Sequence, residues 1–153
     1  MIIIGYQGIG KSTLANKDLR FIDLESGNFW VDGKRADDWY KPYCQIAEHL
    51  SKQGYIVFTS SHEVVRNQLV GSTEKVICCA PDLSLEDKWI DKLKNRYEAS
   101  GLDKDYKAYM NAAARYAENI KEIASGEFEV LWIRDTDYIL SEVILQYVLK
   151  EKY

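Results

Sequence analysis

A chain of 153 residues can bury one hydrophobic core but is too short for two domains of ordinary size. Its 20 Lys and Arg residues are outnumbered by 24 Asp and Glu residues, which gives a formal net charge of -4 at pH 7. General nucleic-acid binders normally carry a basic face, so this charge balance argues against one. We therefore expect a single domain over residues 1–153 without a strong nucleic-acid partner signal.

The chain lacks the signals of a membrane or secreted protein. No stretch approaches the roughly eighteen apolar residues of a membrane span, and the first residues do not resemble a signal peptide. Cys44, Cys78 and Cys79 form no C-x-x-C pair, so we expect reduced structural thiols. These observations predict a cytoplasmic protein that does not bind membranes.

Residues 5–13 read Gly-Tyr-Gln-Gly-Ile-Gly-Lys-Ser-Thr and match the pattern G-x-x-x-x-G-K-[ST] of a phosphate-binding loop, or P-loop. Its glycines let backbone N–H groups turn toward a polyphosphate, and the following helix adds its positive N-terminal end. Lys11 is predicted to reach the β- and γ-phosphates of a nucleotide, and the Ser12 hydroxyl to bind Mg²⁺. The predicted nucleotide-binding residues are Gly8, Ile9, Gly10, Lys11, Ser12 and Thr13.

The second predicted strand, residues 21–24, carries two acidic residues at its carboxyl end. Asp23 and Glu25 form an Asp-x-Glu pair. Open α/β sheets bind their ligands at the carboxyl ends of strands, so both acids are candidate ligands for a metal or an acceptor. The alternative is that both are solvated loop carboxylates.

Residues 27–43 are rich in aromatic and basic side chains. The set is Phe29, Trp30, Lys34, Arg35, Trp39, Tyr40, Lys41 and Tyr43, with Asp32-Gly33 as a predicted turn. Flat rings beside cations suit a nucleobase and its phosphate, so Trp39 and Tyr43 are predicted to bind substrate. Alternatively, the rings pack over the edge of the sheet.

The third predicted strand, residues 55–59, is followed by two further candidates. Arg66 could hold an acceptor phosphate or be an ordinary surface arginine. We interpret His62 as a solvated loop histidine rather than a catalytic base.

A fourth strand over residues 75–80 precedes two predicted helices that are joined by a loop over residues 98–105. The first helix has a basic row of Lys88, Lys92 and Arg96, which could close over phosphates or be solvated. The apolar face of the second is predicted to contain Tyr106, Tyr109, Met110, Ala113, Ala117, Ile120 and Ile123. Arg115 lies off that face, toward a cleft or paired with Glu118 or Glu122. A fifth strand is predicted over residues 128–133 and a closing helix over residues 137–150.

Strands that alternate with helices imply a parallel sheet with right-handed crossovers. With its P-loop after strand one, the chain resembles the small P-loop kinases, the group of adenylate, thymidylate and shikimate kinases. The resemblance covers nearly the whole chain as architecture, whereas in sequence only residues 5–13 are specific. It implies a three-layer α/β/α fold with a five-stranded parallel sheet, the nucleotide-kinase-like form of the P-loop NTPase fold.

The resemblance also implies roles for individual residues. They are Asp23 and Glu25 near the metal or acceptor, Arg66 on the acceptor side, Arg96 and Arg115 in a mobile lid, and residues 134–138 beside the base.

Two features depart from the pattern of related proteins. Many P-loop proteins end strand three with an aspartate that supports Mg²⁺, and residues 55–61 contain none. Asp23 is the predicted replacement, sharing the metal with Ser12, because its Asp-x-Glu resembles the Asp-x-Asp of shikimate-kinase-like enzymes. The Arg-rich lid repeats of adenylate kinases are also absent.

The sequence therefore predicts a kinase that uses ATP and Mg²⁺ to phosphorylate a small acceptor, with a nucleoside or deoxynucleoside monophosphate favoured by the aromatic-basic stretch. The predicted catalytic residues are Lys11, Asp23, Arg96 and Arg115, and the predicted substrate-binding residues are Glu25, Trp39, Tyr43 and Arg66. One alternative is a hydroxyl acceptor of shikimate-kinase type. Others are a nucleotide switch without a small acceptor, although no Asn-Lys-x-Asp motif is present, or a kinase fold kept for interaction. The chain is expected to be a monomer or a homodimer.

Overall fold

The structure is a computed structural model that describes residues 1–134 and 140–152. Its strands are β1 (Ile2–Gly5), β2 (Phe21–Asp23), β3 (Trp30–Val31), β4 (Lys34–Arg35), β5 (Ile56–Thr59), β6 (Val76–Pro81) and β7 (Val130–Ile133). Its helices are α1 (Lys11–Lys17), α2 (Tyr40–Lys52), α3 (Glu63–Leu69), α4 (Glu86–Ser100), α5 (Asp103–Ala124) and α6 (Leu140–Lys152). Short 3₁₀ helices occur at Ser26–Phe29 and Leu83–Leu85. The predicted start of the closing helix, residues 137–139, lies outside the described residues.

Five strands form one parallel sheet in the order β2-β5-β1-β6-β7, which confirms the predicted α/β fold. In this sheet β5 lies between β2 and β1, and Phe58 is opposite both Asp23 and Ile3. The carboxyl ends of β1, β2 and β5 therefore meet at one edge, where parallel sheets bind ligands.

The two remaining strands, β3 and β4, form a small antiparallel hairpin. Its turn residues Asp32 and Gly33 have φ angles of 50° and 82°. Two consecutive residues with positive φ are typical of the tight two-residue hairpin turn. The sequence predicted the turn but not the strands, because each strand is only two residues long.

The first of two compact units comprises Met1–Tyr6, Lys11–Cys78 and Glu127–Glu129. Its central strands β1 and β5 are buried along their whole length, as expected for parallel strands covered on both faces. Phe21 stacks on Phe58 with ring centroids 5.7 Å apart. Pro42 lies in the first turn of α2, and Gly54, with a φ of 99°, follows the helix end, both as predicted.

The second unit comprises Gln7–Gly10, Cys79–Gly126 and the described part of Val130–Tyr153. Its buried residues from α4 and α5 include Trp89, Leu93, Ala112, Tyr116, Ile120 and Ile123. The Tyr116 hydroxyl donates a hydrogen bond to the carbonyl of Asp82 at 2.7 Å, which ties α5 to the segment after β6.

The connection between α4 and α5 is shorter than predicted. The predicted loop over residues 98–105 is wrong, because α4 continues to Ser100 and ends at Gly101 in the left-handed conformation, with a φ of 66°. The predicted apolar face of α5 is also wrong in its first half, where Tyr106 and Met110 are 43% and 44% exposed. The small Ala112 and the charged Asp105 are buried there instead, and side-chain hydrophobicity could not indicate either.

A buried carboxylate joins the end of α4 to the start of α5. The Asp105 side chain is 4% exposed and accepts hydrogen bonds from Nε of Arg96 at 2.8 Å and from the Ser100 hydroxyl. Burial by itself would raise the pKa of Asp105, but these hydrogen bonds and the charge of Arg96 outweigh it and hold the pKa below its ordinary value. Charged Asp105 therefore stabilises the folded helix pair.

We expect Asp105→Asn to lower the free energy of unfolding by about 2 kcal/mol, because a buried hydrogen bond between charged groups is lost. Urea unfolding at neutral pH measures this change. Asp103→Asn is the matched control, since that carboxylate is 76% exposed and should contribute less than about 0.5 kcal/mol. Because the folded pKa is the lower one, the stabilisation is present above the ordinary value of 3.8 and is lost as the pH falls below it. Equal losses in both variants would contradict the assignment.

Candidate active site

The P-loop follows β1 and leads directly into α1. Gly8 and Gly10 have φ angles of 84° and 96°, in the left-handed region that favours glycine. Ile9 between them is only 3% exposed, so its side chain packs inside the protein. The loop has the backbone conformation that lets N–H groups converge on an anion.

Helix α4 packs against the back of the loop in the second unit. The indole Nε1 of Trp89 donates a hydrogen bond to the carbonyl oxygen of Gln7 at 2.9 Å. A Cβ atom added to Gly8 would lie 2.8 Å from Cδ2 of Leu93, so a larger residue at this position would have to shift the Leu93 side chain on α4.

The side chain of Gln7 connects the loop to α5. Its Nε2 donates to Oδ1 of Asn111 at 3.0 Å, and the same oxygen accepts from Nδ2 of Asn119 at 2.9 Å. Between the two asparagines, Arg115 departs from helical geometry with φ of -137° and ψ of 16°. The Asn111 side chain therefore contacts both Gln7 of the P-loop and Asn119, which lies beyond the kink in α5.

The Lys11 ammonium lies over the carboxyl ends of two strands in the first unit. Its Nζ donates to the carbonyl oxygen of Gly5 at 3.0 Å and to that of Thr59 at 3.5 Å. Gly5 ends β1 and Thr59 ends β5, so the cation lies at the edge of the sheet where ligands bind.

The two predicted Mg²⁺ ligands belong to neighbouring elements of the same unit. Ser12 and Thr13 are exposed in the first turn of α1, and Asp23 is the last residue of β2. Among the described residues, no group of three or more His, Cys, Asp and Glu side chains could hold a metal ion by itself. A hydroxyl and a carboxylate fit Mg²⁺ nonetheless, because this ion prefers oxygen ligands and usually keeps waters and substrate phosphates in its shell.

Tyr43 has a structural position, which corrects its predicted role in substrate binding. Its side chain is fully buried, and its hydroxyl donates to the Leu24 carbonyl at 2.7 Å and accepts from the Ser60 N–H at 2.8 Å. Burial raises the pKa of this hydroxyl. Tyr43 thus fixes the segments that follow β2 and β5 against each other and leaves no surface for a ligand.

The other predicted substrate-binding residues are Trp39, Glu25 and Arg66. Trp39 is half-buried, with its ring 5.4 Å from both the Tyr43 and His62 rings, as the packing alternative predicted. Glu25 is exposed. Arg66 is partly buried, and its Nε donates to the carbonyl oxygen of Ser61 at 3.1 Å.

Two residues that the sequence analysis did not assign to the site lie beside Trp39. The Arg35 guanidinium stacks on the Trp39 ring with its Cζ 4.4 Å from the ring centroid. His62 shares a 2.8 Å hydrogen bond between its Nδ1 and the Ser60 hydroxyl. The position of Arg35 within an aromatic-basic stretch was the one sequence signal for its place beside Trp39. No sequence pattern indicated the position of His62.

The environment of His62 favours the neutral imidazole. Although the residue as a whole is exposed, desolvation of the ring lowers its pKa to about 4, and the positive charges of Arg35 and Lys11 act in the same direction. At neutral pH the ring can therefore accept a hydrogen bond.

We expect the protein to lose stability relative to His62→Gln as the pH falls from 6.5 to about 4. The unfolded chain binds a proton to this histidine near pH 6.5, but the folded chain does so only near pH 4. Neutral His62 therefore costs no stability above pH 6.5, and the free energy of unfolding falls as the pH drops through this interval. Urea midpoints measured across the interval test the sign. His49→Gln, which changes the chain's other histidine, on the exposed face of α2, should follow the wild type. Parallel pH dependence of His62→Gln and the wild type would refute the assignment.

The three arginines assigned to the lid and the base site have acidic partners within the second unit. Arg96 pairs with Asp105, and Arg115 pairs with Glu118 at 2.8 Å and with Glu122 at 3.5 Å, which is the intrahelical alternative. Arg134 lies 3.4 Å from Asp82 at a cavity of about 360 Å³ that Trp132 also lines. Residues 135–138 of the expected base-binding segment lie outside the described residues.

Comparison with known proteins supports the same architecture. The structure superposes on a gluconokinase from Sinorhizobium meliloti 1021 with a TM-score of 0.54 and 12% sequence identity, over 99% of this chain and 96% of that chain. The chain has the P-loop NTPase fold. No protein-family model matches it.

Two proteins match part of the chain in sequence, an ATP-dependent flippase and an ABC transporter. The chain is 28% identical over 100 residues to an ATP-dependent lipid A-core flippase of Aliivibrio fischeri and 31% identical over 98 residues to the ABC transporter ATM1 of Plasmodium falciparum. Each match covers 63% of this chain but only 17% and 9% of the relatives' lengths. No helix among the described residues is both long and apolar enough to span a membrane.

Proposed function

We propose that this protein is a kinase that transfers the γ-phosphoryl group of ATP to a small acceptor. The observation that carries the proposal is the position of the Lys11 ammonium, 3.0 Å from the carbonyl that ends β1, at the start of the helix that follows a P-loop. A cation at this point neutralises charge on the β- and γ-phosphates, which is the main requirement of phosphoryl transfer.

The share of this chain that each relative matches favours a kinase over a transporter ATPase. The gluconokinase neighbour matches 99% of this chain in structure, whereas each transporter relative matches 63% of it in sequence. The likeness to the gluconokinase supports the fold, and the reaction is our inference from it and from the P-loop.

We assign Mg²⁺ to the Ser12 hydroxyl and the Asp23 carboxylate, with Gly8, Ile9, Gly10 and Thr13 completing the nucleotide site. The metal would supply charge neutralisation on the phosphates of the bound nucleotide. Arg96 and Arg115 are paired with Asp105, Glu118 and Glu122, and in this proposal they act as lid residues that contact the phosphates in a closed state.

Two acceptor classes fit the site. A nucleoside monophosphate is favoured by the Trp39 ring and the nearby cations, and its phosphate is already nucleophilic. A hydroxyl acceptor is favoured by the structural likeness to a gluconokinase. In that case the Asp23 or Glu25 carboxylate would accept the proton that the hydroxyl loses.

An assay of ADP release separates these possibilities when nucleoside and deoxynucleoside monophosphates are compared with gluconate and shikimate-like alcohols. We expect one class to stimulate turnover, and Lys11→Ala to reduce that turnover by about 100-fold. Lys17→Ala, at the far end of the same helix, is the control and should retain wild-type rates. Hydrolysis that no small acceptor stimulates would replace the kinase proposal with a nucleotide switch, and full activity of Lys11→Ala would exclude both.

We further expect Asp23→Asn to lower turnover by about 100-fold while ATP affinity changes little, because the predicted metal ligand is lost but the P-loop is kept. Initial rates across a Mg²⁺ titration, together with calorimetric ATP binding, measure the two effects. Asp37→Asn, which removes an exposed carboxylate of the same unit, should change neither. Unchanged turnover in Asp23→Asn would remove this residue from the metal site.

A further inference from the structure

The guanidinium of Arg35 lies over two tryptophan rings, an arrangement we call the Trp30–Arg35–Trp39 cage. Its Cζ is 5.1 Å from the centroid of the Trp30 ring and 4.4 Å from that of Trp39. Contact with both rings restricts the movement of the guanidinium.

One nitrogen of this guanidinium has no hydrogen-bond partner. Nη1 of Arg35 is buried, and among the described residues it is the single buried side-chain nitrogen or oxygen atom without one. None of the ion pairs found among residues 1–134 and 140–152 involves Arg35. A charged donor in this condition is costly, because it has lost water and gained no acceptor in return.

The local structure keeps the cage in place without the help of a ligand. The hairpin register places Arg35 directly opposite Trp30, and the Asp32-Gly33 turn fixes that register. Trp39 is held by the Phe29 ring, 6.3 Å away, and by its backbone N–H, which donates to the Ala36 carbonyl. The orientation of Arg35 is therefore imposed by the fold.

The cage adjoins His62, which is also under the electrostatic influence of Lys11. His62 contacts the Trp39 ring, and both Arg35 and Lys11 are close enough to lower the pKa of that same histidine. An anion that displaced the groups covering Nη1 would enter the region of positive potential that Lys11 also creates. Packing alone explains the stacking but not an unsatisfied donor.

We propose that Arg35 binds an anionic group of the phosphate acceptor, a phosphate monoester or a carboxylate, through Nη1. This inference rests on the proposed function, and it assigns to the acceptor a negative charge that a nucleoside monophosphate and a sugar acid share. A planar guanidinium suits such groups because its paired N–H donors match two oxygens.

The test measures anion binding separately from catalysis. A saturating non-hydrolysable ATP analogue with Mg²⁺ fills the P-loop, and the protein is then titrated with inorganic phosphate, AMP or gluconate by calorimetry. Binding of phosphate and AMP identifies a phosphate monoester, and binding of gluconate identifies a carboxylate. Quenching of tryptophan fluorescence that is lost in Trp30→Phe locates the anion at the cage.

We expect Arg35→Ala to weaken binding of the probe by about tenfold or more, since a charge-assisted hydrogen bond is lost, with unchanged affinity for the ATP analogue. Arg35→Lys keeps the charge but not the planar fork, and it should bind with intermediate affinity. Lys34→Ala is the matched control, because it removes an exposed cation from the same strand and should bind as the wild type does.

Three results would overturn the assignment of Arg35. They are wild-type affinity in both Arg35 variants, equal weakening in Lys34→Ala, and failure of the wild type to bind all three probes. Turnover of an uncharged acceptor without probe binding would also remove the Arg35 site while leaving the kinase proposal intact. Probe binding that depends on Arg35 but is not accompanied by phosphoryl transfer would support the Arg35 site and overturn the kinase proposal.

Discussion

The contact of the Lys11 ammonium with the carbonyl ends of β1 and β5 is the interaction on which the proposed site depends. It lies 3.0 Å from the Gly5 oxygen and 3.5 Å from the Thr59 oxygen. Two backbone dipoles therefore hold a cation at the edge of the sheet before any anion arrives. Because β5 is paired with both β1 and β2, the order of strands in the sheet also sets where Asp23 lies in relation to this charge. The strand order therefore also determines the positions of the charged groups.

The parts of the fold that the sequence could predict are those in which neighbouring residues carry the signal. Gly8 and Gly10 mark the P-loop because no other residue type adopts their backbone angles easily, and β5 is visible as an unbroken apolar run. The Asp32-Gly33 turn and the Pro42 start of α2 are equally local. For such features the chemistry of a few adjacent residues decides the conformation.

The rest depends on partners that are distant in sequence. Trp39 and Tyr43 are both aromatic and lie four positions apart, yet only Tyr43 is fully buried, because its hydroxyl meets Leu24 and Ser60. Asp105 is buried because Arg96 and Ser100 reach it, so its charge misled the prediction of the α5 face. The Arg35 cage likewise arises from cross-strand register. Hydrophobic periodicity contains no information about such pairings.

The packing of α4 behind the P-loop has a thermodynamic consequence. The Gln7 carbonyl is held by the Trp89 indole, and the space beside Gly8 is filled by Leu93, so the loop is supported by protein rather than by phosphate. A loop that is ordered in advance loses little conformational entropy when it binds an anion, and more of the interaction energy appears as affinity. Gly8 would be expected to be the most flexible residue of the motif, but folding has already removed its conformational freedom.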